Sequence, residues 1–318
     1  VHPNFILAWL SERYGAAFSS AECQLLRSYT NDVYLIHSSG QTFVLKLYGL
    51  GWRTLTDLQW EIDLLRHVSA QGVPVAGPIA ARDRLPIQSI ATEAGQRLAV
   101  LFPYVAGEKP QPPFSIALYE QFGQAIGRLH AATNSFATAY PRQALDTNVL
   151  IDQPIGLVAP LLSNSNERTW LLELANLVKD RIATYAAAGL DWGPIHGDAS
   201  LDNLHVTEDG SVILYDFDSA GFGWRAADLQ GWAVSHSDYS ARWDAFHRGY
   251  NRAHSLAEID RLAAPYLTIA WDMWGMKIDL ERRILSLGQK QVEEFLATQL
   301  KVLRSRSRQY GIAMRAFA

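Results

Sequence analysis

Hydrophobic periodicity divides the chain into a first hundred residues with strand-like alternation and a remainder that is mainly helical. Phe5 to Tyr14 reads as a helix and Cys23 to Arg27 as a short strand. Val33 to His37 and Thr42 to Tyr48 are strand-like, and the Ser38-Ser39-Gly40-Gln41 turn joins them into a hairpin. Thr54 to Val68 is helical by period, because Leu58, Ile62 and Leu65 recur on one face. Ser89 to Thr92 and Arg97 to Phe102 form a second hairpin around Glu93-Ala94-Gly95. The Pro- and Gly-rich run Pro103 to Pro113 then breaks all periodicity. Beyond it the spacing predicts helices over Ile116 to Thr133, Glu167 to Ala188, Arg225 to Trp232, Tyr239 to Tyr250, Leu256 to Ile278 and Lys290 to Gln309. Asn203 to Tyr215 reads as strand, turn and strand, with Glu208-Asp209-Gly210 as the turn.

The expected architecture is therefore α+β in two lobes, 1–102 and 103–318, with a hinge at about 102–107. Composition adds little to that picture but excludes several function classes. Of 318 residues, 48% are hydrophobic, enough to fill a core and to argue against disorder. A formal net charge of −4 gives no support to a nucleic-acid or anionic-membrane partner. The single cysteine, Cys23, leaves no intrachain disulfide and fits a cytoplasmic setting. The N-terminal apolar stretch lacks a basic flank and a small-residue cleavage site, so it is expected to start a helix and not a signal peptide. No apolar run approaches the roughly 20 residues of a membrane span.

Candidate chemistry concentrates in Ile195-His196-Gly197-Asp198-Ala199-Ser200-Leu201-Asp202-Asn203 and in Ile213-Leu214-Tyr215-Asp216-Phe217-Asp218. A loop carboxylate such as Asp198 can orient a hydroxyl and accept its proton. Asn203 and Asp216 offer the hard oxygen donors with which Mg²⁺ is held on nucleotide phosphates. A carboxylate at the end of the apolar strand before Asp216 is poorly solvated without a cation. Asp218, two positions on, is either a second ligand or a turn cap. Gly197 lets the backbone turn sharply beside Asp198. His196 is read as a structural residue that bonds nearby backbone groups.

Lys46 interrupts an apolar strand, so its ammonium needs a partner unless it snorkels from an edge. Glu61, on the core side of the helix from Thr54, is a fitting one, and the pair would hold Lys46 against phosphates. The turn containing Thr30 and Asn31 precedes the first hairpin strand. It can cap phosphates through backbone N–H groups or serve as an ordinary Asx turn.

The order of these features resembles the aminoglycoside phosphotransferase family, which includes choline kinases, type II homoserine kinases and methylthioribose kinase. The resemblance rests on Lys46 in a strand, Glu61 on a helix, a Pro/Gly hinge, His196-Gly197-Asp198 with Asn203, and Asp216-Phe217-Asp218, and it spans roughly residues 28–232. It implies a protein-kinase-like fold with a small β-rich N-lobe and a larger, mainly helical C-lobe. It also implies ATP and Mg as cofactors, Asp198 as catalytic base, and Asn203 and Asp216 as metal ligands. Lys46 and Glu61 become the phosphate-positioning pair, and Phe102 and Tyr104 flank adenine at a hinge whose backbone, to Val105, binds it. Protein kinases carry Arg where Gly197 stands and Gly where Asp218 stands, so the small-molecule branch is the expected one. The short interval from Asp218 to Asp228 leaves no room for a long activation loop.

The leading expectation is phosphoryl transfer from ATP to a hydroxyl of a metabolite or antibiotic. Acidic and aromatic acceptor candidates are Asp202, Asp238, Trp271, Asp272, Trp274 and Asp279, without a dense acidic cluster that would single out aminoglycosides. A protein Ser/Thr kinase of the bacterial stress-response type is the alternative, followed by a catalytically silent nucleotide-binding module. A serine hydrolase is disfavoured because no G-x-S-x-G elbow occurs. Lys301, Arg304, Arg306, Arg308 and Arg315 are expected to form the wet face of a terminal helix. Oligomeric state is not legible.

Overall fold

The computed structural model describes residues 1–232 and 239–312, so Asp238 and Arg315 lie outside the described residues. Two compact units divide the chain, and neither is continuous. One comprises Val1–Gln111, Ser135–Arg142 and Asp202–Asp216; the other comprises Pro112–Asn134, Gln143–Leu201 and Phe217–Ala318.

The first unit is built on a five-stranded antiparallel sheet, β1 (Glu22–Ser28), β2 (Asn31–Ser38), β3 (Gln41–Tyr48), β4 (Ile87–Thr92) and β5 (Gly95–Pro103), in spatial order β1-β2-β3-β5-β4. Period-two alternation gives the sheet two apolar faces. Tyr34, Ile36, Leu45, Leu47, Ala99 and Leu101 pack with Ile6 and Leu10 of α1 (Pro3–Tyr14). Tyr48 and Val100 pack with Leu58 and Ile62 of α2 (Leu55–Ala70). Lys46 is two positions from Tyr48 and therefore shares the α2 side. Thr54 and Asp57 cap α2 reciprocally: the Asp57 amide donates to the Thr54 hydroxyl at 3.1 Å, and the Thr54 amide donates to the Asp57 carboxylate at 2.8 Å.

In the second unit, α3 (Ile116–Ala132), α4 (Gln153–Val158), α5 (Ser165–Ala187), α6 (Tyr239–Tyr250), α7 (Glu258–Asp279) and α8 (Gln289–Gln309) supply most of the mass. Helices α3 and α6 approach until their backbones touch, since a Cβ at Gly123 would overlap the Phe246 carbonyl. A small ribbon pairs β6 (Trp192–Ile195) with β9 (Gly221–Trp224). Periodicity misses this ribbon because WGPI and GFGW carry Gly and Pro where strands prefer branched or aromatic residues. The expected strand, turn and strand before Asp216 is present as β7 (Leu204–Val206) and β8 (Val212–Leu214) of the first unit. The expected helix over Arg225–Trp232 forms with 3₁₀ geometry.

The last helix corrects one expectation. Of its basic residues, Lys301 and Arg308 are exposed, but Arg304 stacks over Trp170 at 4.7 Å and Arg306 pairs with Asp272. These two turn toward the protein because α5 offers an aromatic face in Trp170 and α7 a carboxylate in Asp272. Among the described residues, no helix is long and apolar enough to cross a membrane.

Candidate active site

Each unit carries part of the candidate chemistry. In the first, β8 ends at Leu214 and the chain turns at once, with Asp216 in the left-handed region at φ 64°. Asp tolerates that conformation better than most residues. The turn aims its carboxylate at two cations: Lys46 Nζ donates to Oδ1 at 2.6 Å, and Arg27 Nη2 donates to Oδ2 at 2.9 Å. Lys46 is only 5% exposed, so this carboxylate answers the charge problem that its strand poses.

Tyr48 touches both members of the expected lysine–glutamate pair. Its ring centroid lies 5.1 Å from Lys46 Nζ, and its hydroxyl donates to Glu61 Oε1 at 3.2 Å. Glu61 is buried on α2. Nothing in the alternation of β3 distinguishes Tyr48 from a core aromatic, which is why sequence reasoning passes over it.

Asn203 is buried in the same unit as Asp216, and its carbonyl accepts from the Tyr215 amide at 3.1 Å. Among the described residues, no three His, Cys, Asp or Glu side chains gather closely enough to hold a metal. Asn203 and Asp216 carry an amide and a carboxylate oxygen, donor types that suit Mg²⁺ when water and phosphate oxygens complete its shell.

Asn31 is buried, and its side-chain oxygen accepts from the Gly49 amide at 3.2 Å, as the Thr30 carbonyl does at 3.1 Å. The Thr30–Asn31 turn is thereby tied to the end of β3. Tyr104 is 46% exposed and meets His205 edge-on at 5.2 Å; His205 in turn meets Tyr215 at 5.2 Å. Phe102 packs into the Tyr48–Leu58–Ile62 cluster. In the hinge backbone, the Tyr104 amide donates to the Thr42 carbonyl at 3.0 Å, and the Val105 carbonyl accepts from His205 Nδ1 at 3.2 Å.

In the second unit, the loop carrying Asp198 is held from beneath. Asp228, wholly buried, accepts from the His196 amide at 2.7 Å, the Gly197 amide at 2.8 Å and His130 Nε2 at 2.9 Å. His196 is also wholly buried, and its Nδ1 accepts from the Asp198 amide at 3.3 Å. Gly197 sits at φ 78°, and a Cβ there would overlap the Ser219 carbonyl. Asp218 is buried in the 3₁₀ turn Phe217–Ser219.

Burial works against the Asp228 charge, but the His130 hydrogen bond and the His196 amide outweigh it and hold its carboxyl below the ordinary value. Burial pushes His130 down, and Asp228 only partly offsets this. A charged carboxylate and a neutral ring leave one consistent arrangement. His130 Nε2–H donates to Asp228, and the Tyr250 hydroxyl donates to Nδ1 at 2.7 Å. Asp228 and His130 escape sequence reasoning. Their only signals are a charge within Ala226-Ala227-Asp228-Leu229 and a histidine near a helix end.

Among the acceptor candidates, Asp272 binds Arg306, and Asp202 pairs with Lys109 at 2.7 Å. Asp279 lies 3.8 Å from Arg283. Trp271 and Trp274 meet edge-on at 5.2 Å.

Comparison with known proteins identifies the family and the fold. The family model described as "Phosphotransferase enzyme family" matches residues 22–265. An uncharacterized protein of Deinococcus radiodurans is 33% identical over 282 residues, covering 86% of this chain and 81% of its own. The structure of the microcompartment-associated aminopropanol kinase superimposes with a TM-score of 0.77 at 20% identity, covering 97% of this chain and 98% of that one. An amicoumacin kinase in complex with AMP-PNP, Ca²⁺ and Ami gives a TM-score of 0.74 at 18% identity, over 96% and 94%. The fold is the protein-kinase-like one expected from the sequence, with an antiparallel five-stranded sheet in the N-terminal part and helices in the C-terminal part.

Proposed function

The chain belongs to the phosphotransferase enzyme family, and from that premise we propose that it transfers the γ-phosphoryl group of ATP to a hydroxyl of a small molecule. The observation that carries this reading is the bond between Lys46 and Asp216. A buried ammonium and a strand-end carboxylate meet at 2.6 Å across 170 positions of sequence. Such a pair supplies a cation for phosphate oxygens and an oxygen donor for a divalent ion.

In this reading the division of labour is as follows. Asp198 accepts the proton of the attacking hydroxyl, and the Asp228–His196 scaffold fixes its loop. Lys46 binds phosphate oxygens, with Tyr48 and Glu61 holding it from behind. Backbone N–H groups of the Thr30–Asn31 turn cap the phosphates. Phe102 and Tyr104 flank the adenine. Asn203 and Asp216, with Asp218, would hold Mg²⁺, which when bound neutralises charge on the transferring group. Residues 1–102 form the nucleotide lobe and 103–318 the catalytic and acceptor lobe, in a cytoplasmic enzyme supplied with ATP. The nucleotide and Ca²⁺ named in the amicoumacin kinase complex support the cofactor pairing. The aminopropanol kinase likeness makes small hydroxylated amines the first acceptors to try.

The test is incubation with γ-labelled ATP and Mg²⁺ against a panel of hydroxylated metabolites and antibiotics, with casein as a protein acceptor. Label in one small-molecule product is the expected result. Label in casein alone would point instead to a protein kinase. ATP left intact by every acceptor, and unbound by the protein, would overturn the proposal.

A further inference from the structure

The ladder between β1 and β2 contains an irregularity with a chemical consequence. Leu25 pairs with Tyr34, but Arg27, not Leu26, pairs with Val33. The extra residue is a β-bulge, a device that re-aims side chains at a sheet edge. Val33 in turn pairs with Lys46. The bulge therefore places Arg27 in the cross-strand row of Lys46, where an uninterrupted ladder would put Leu26. Both cations then reach one carboxylate, with Lys46 on Oδ1 and Arg27 on Oδ2 of Asp216.

The two are not equivalent. The Lys46 side chain is 6% exposed, whereas that of Arg27 is 55% exposed and sits on an edge strand. Two cationic side chains gathered on one carboxylate are groups that a polyanion can bind. A guanidinium is also the side chain whose fork best matches phosphate oxygens. A divalent ion taken by Asp216 competes with Arg27 for Oδ2, because like charges on one oxygen repel.

We propose that Arg27 is a phosphate-positioning residue that exchanges partners. It leaves Asp216 and turns to the nucleotide phosphates when the metal–nucleotide complex binds. The inference rests on the ATP reading above and adds to it a residue and a conformational exchange. It requires opposite effects of one substitution on two ligands.

Calorimetry on the full chain tests it with Mn²⁺ alone and with Mg²⁺ plus non-hydrolysable AMP-PNP, for the parent protein, Arg27→Gln and Arg27→Lys. Arg27→Gln is expected to bind Mn²⁺ about tenfold more tightly and Mg²⁺–AMP-PNP about tenfold more weakly, by the usual strength of a charge-assisted hydrogen bond. Arg27→Lys should fall between, keeping the charge without the fork. Arg27→Gln affinities that are both unchanged, or that both weaken, overturn the exchange. A parent protein that binds no Mg²⁺–AMP-PNP overturns the function itself, whereas parent binding that Arg27→Gln leaves intact overturns only the role of Arg27.

Discussion

His130 Nε2 and Asp228 Oδ2 lie 2.9 Å apart across 98 positions of sequence, and both side chains are wholly buried. The carboxylate also accepts the two amides that begin the Asp198 loop. One buried charge thus ties a helix end to the candidate base. Asp228→Asn puts an amide where three donors converge, so at least one donor is left unpaired. The expected cost is about 3 kcal/mol, typical of breaking a buried charged partner. Denaturant unfolding with an unchanged midpoint would contradict it.

Acidification should act through the same pair. His130 is held neutral below its ordinary 6.5. As pH falls through that value the unfolded chain takes up a proton that the folded one does not, and stability falls. Asp228, depressed below its ordinary 3.8, contributes stability that is present above that value and lost as pH drops through its lower folded-state value. Both slopes have the same sign. The melting temperature is expected to decline from about pH 6.5 downward, and His130→Gln should flatten the upper part of that decline while leaving the carboxylate part. Parallel profiles would remove His130 as the source.

Gly197→Ala is expected to destabilise the protein by about 2 kcal/mol or more, from strain at positive φ and overlap with the Ser219 carbonyl. Turnover per folded molecule should fall as well, since the displaced loop carries Asp198. A melting curve and an activity assay on the soluble fraction check the two effects separately.

Asp198→Asn should lower turnover by at least about 10²-fold, in line with general-base contributions, while nucleotide affinity survives. Lys46→Met should do the reverse in part, weakening nucleotide binding as well as turnover, because its proposed contact is with the phosphates. Equal effects of both substitutions on nucleotide affinity would merge roles that are separate here.

The fold was largely legible because its information is local. Leu58, Ile62 and Leu65 announce α2, and the Ser38–Gln41 turn announces the hairpin of β2 and β3. Asp198, Asn203 and Asp216 stood out because carboxylates and amides beside short apolar runs are costly without a task. What remained hidden depends on contacts across the chain. Arg27 enters the row of Lys46 only through a one-residue bulge, and no periodicity shows a register shift. Asp228 supports its loop from 30 residues downstream, a relation that exists only once β6 and β9 are paired. Those strands, in turn, lack the residue types by which strands are recognised.

The hairpin of β7 and β8 is separated from the rest of the first unit by long stretches of sequence. Leu214 nevertheless exchanges backbone bonds with Pro74 and Ala76, and Val206 with Glu108. A fragment cut at Gln111 would therefore present bare amides and carbonyls at Pro74, Ala76 and Glu108, and would lack Asn203 and Asp216 altogether. The first unit cannot be borrowed as a cassette: its last pieces are translated only after much of its neighbour, so its assembly must wait for the ribosome to pass residue 216.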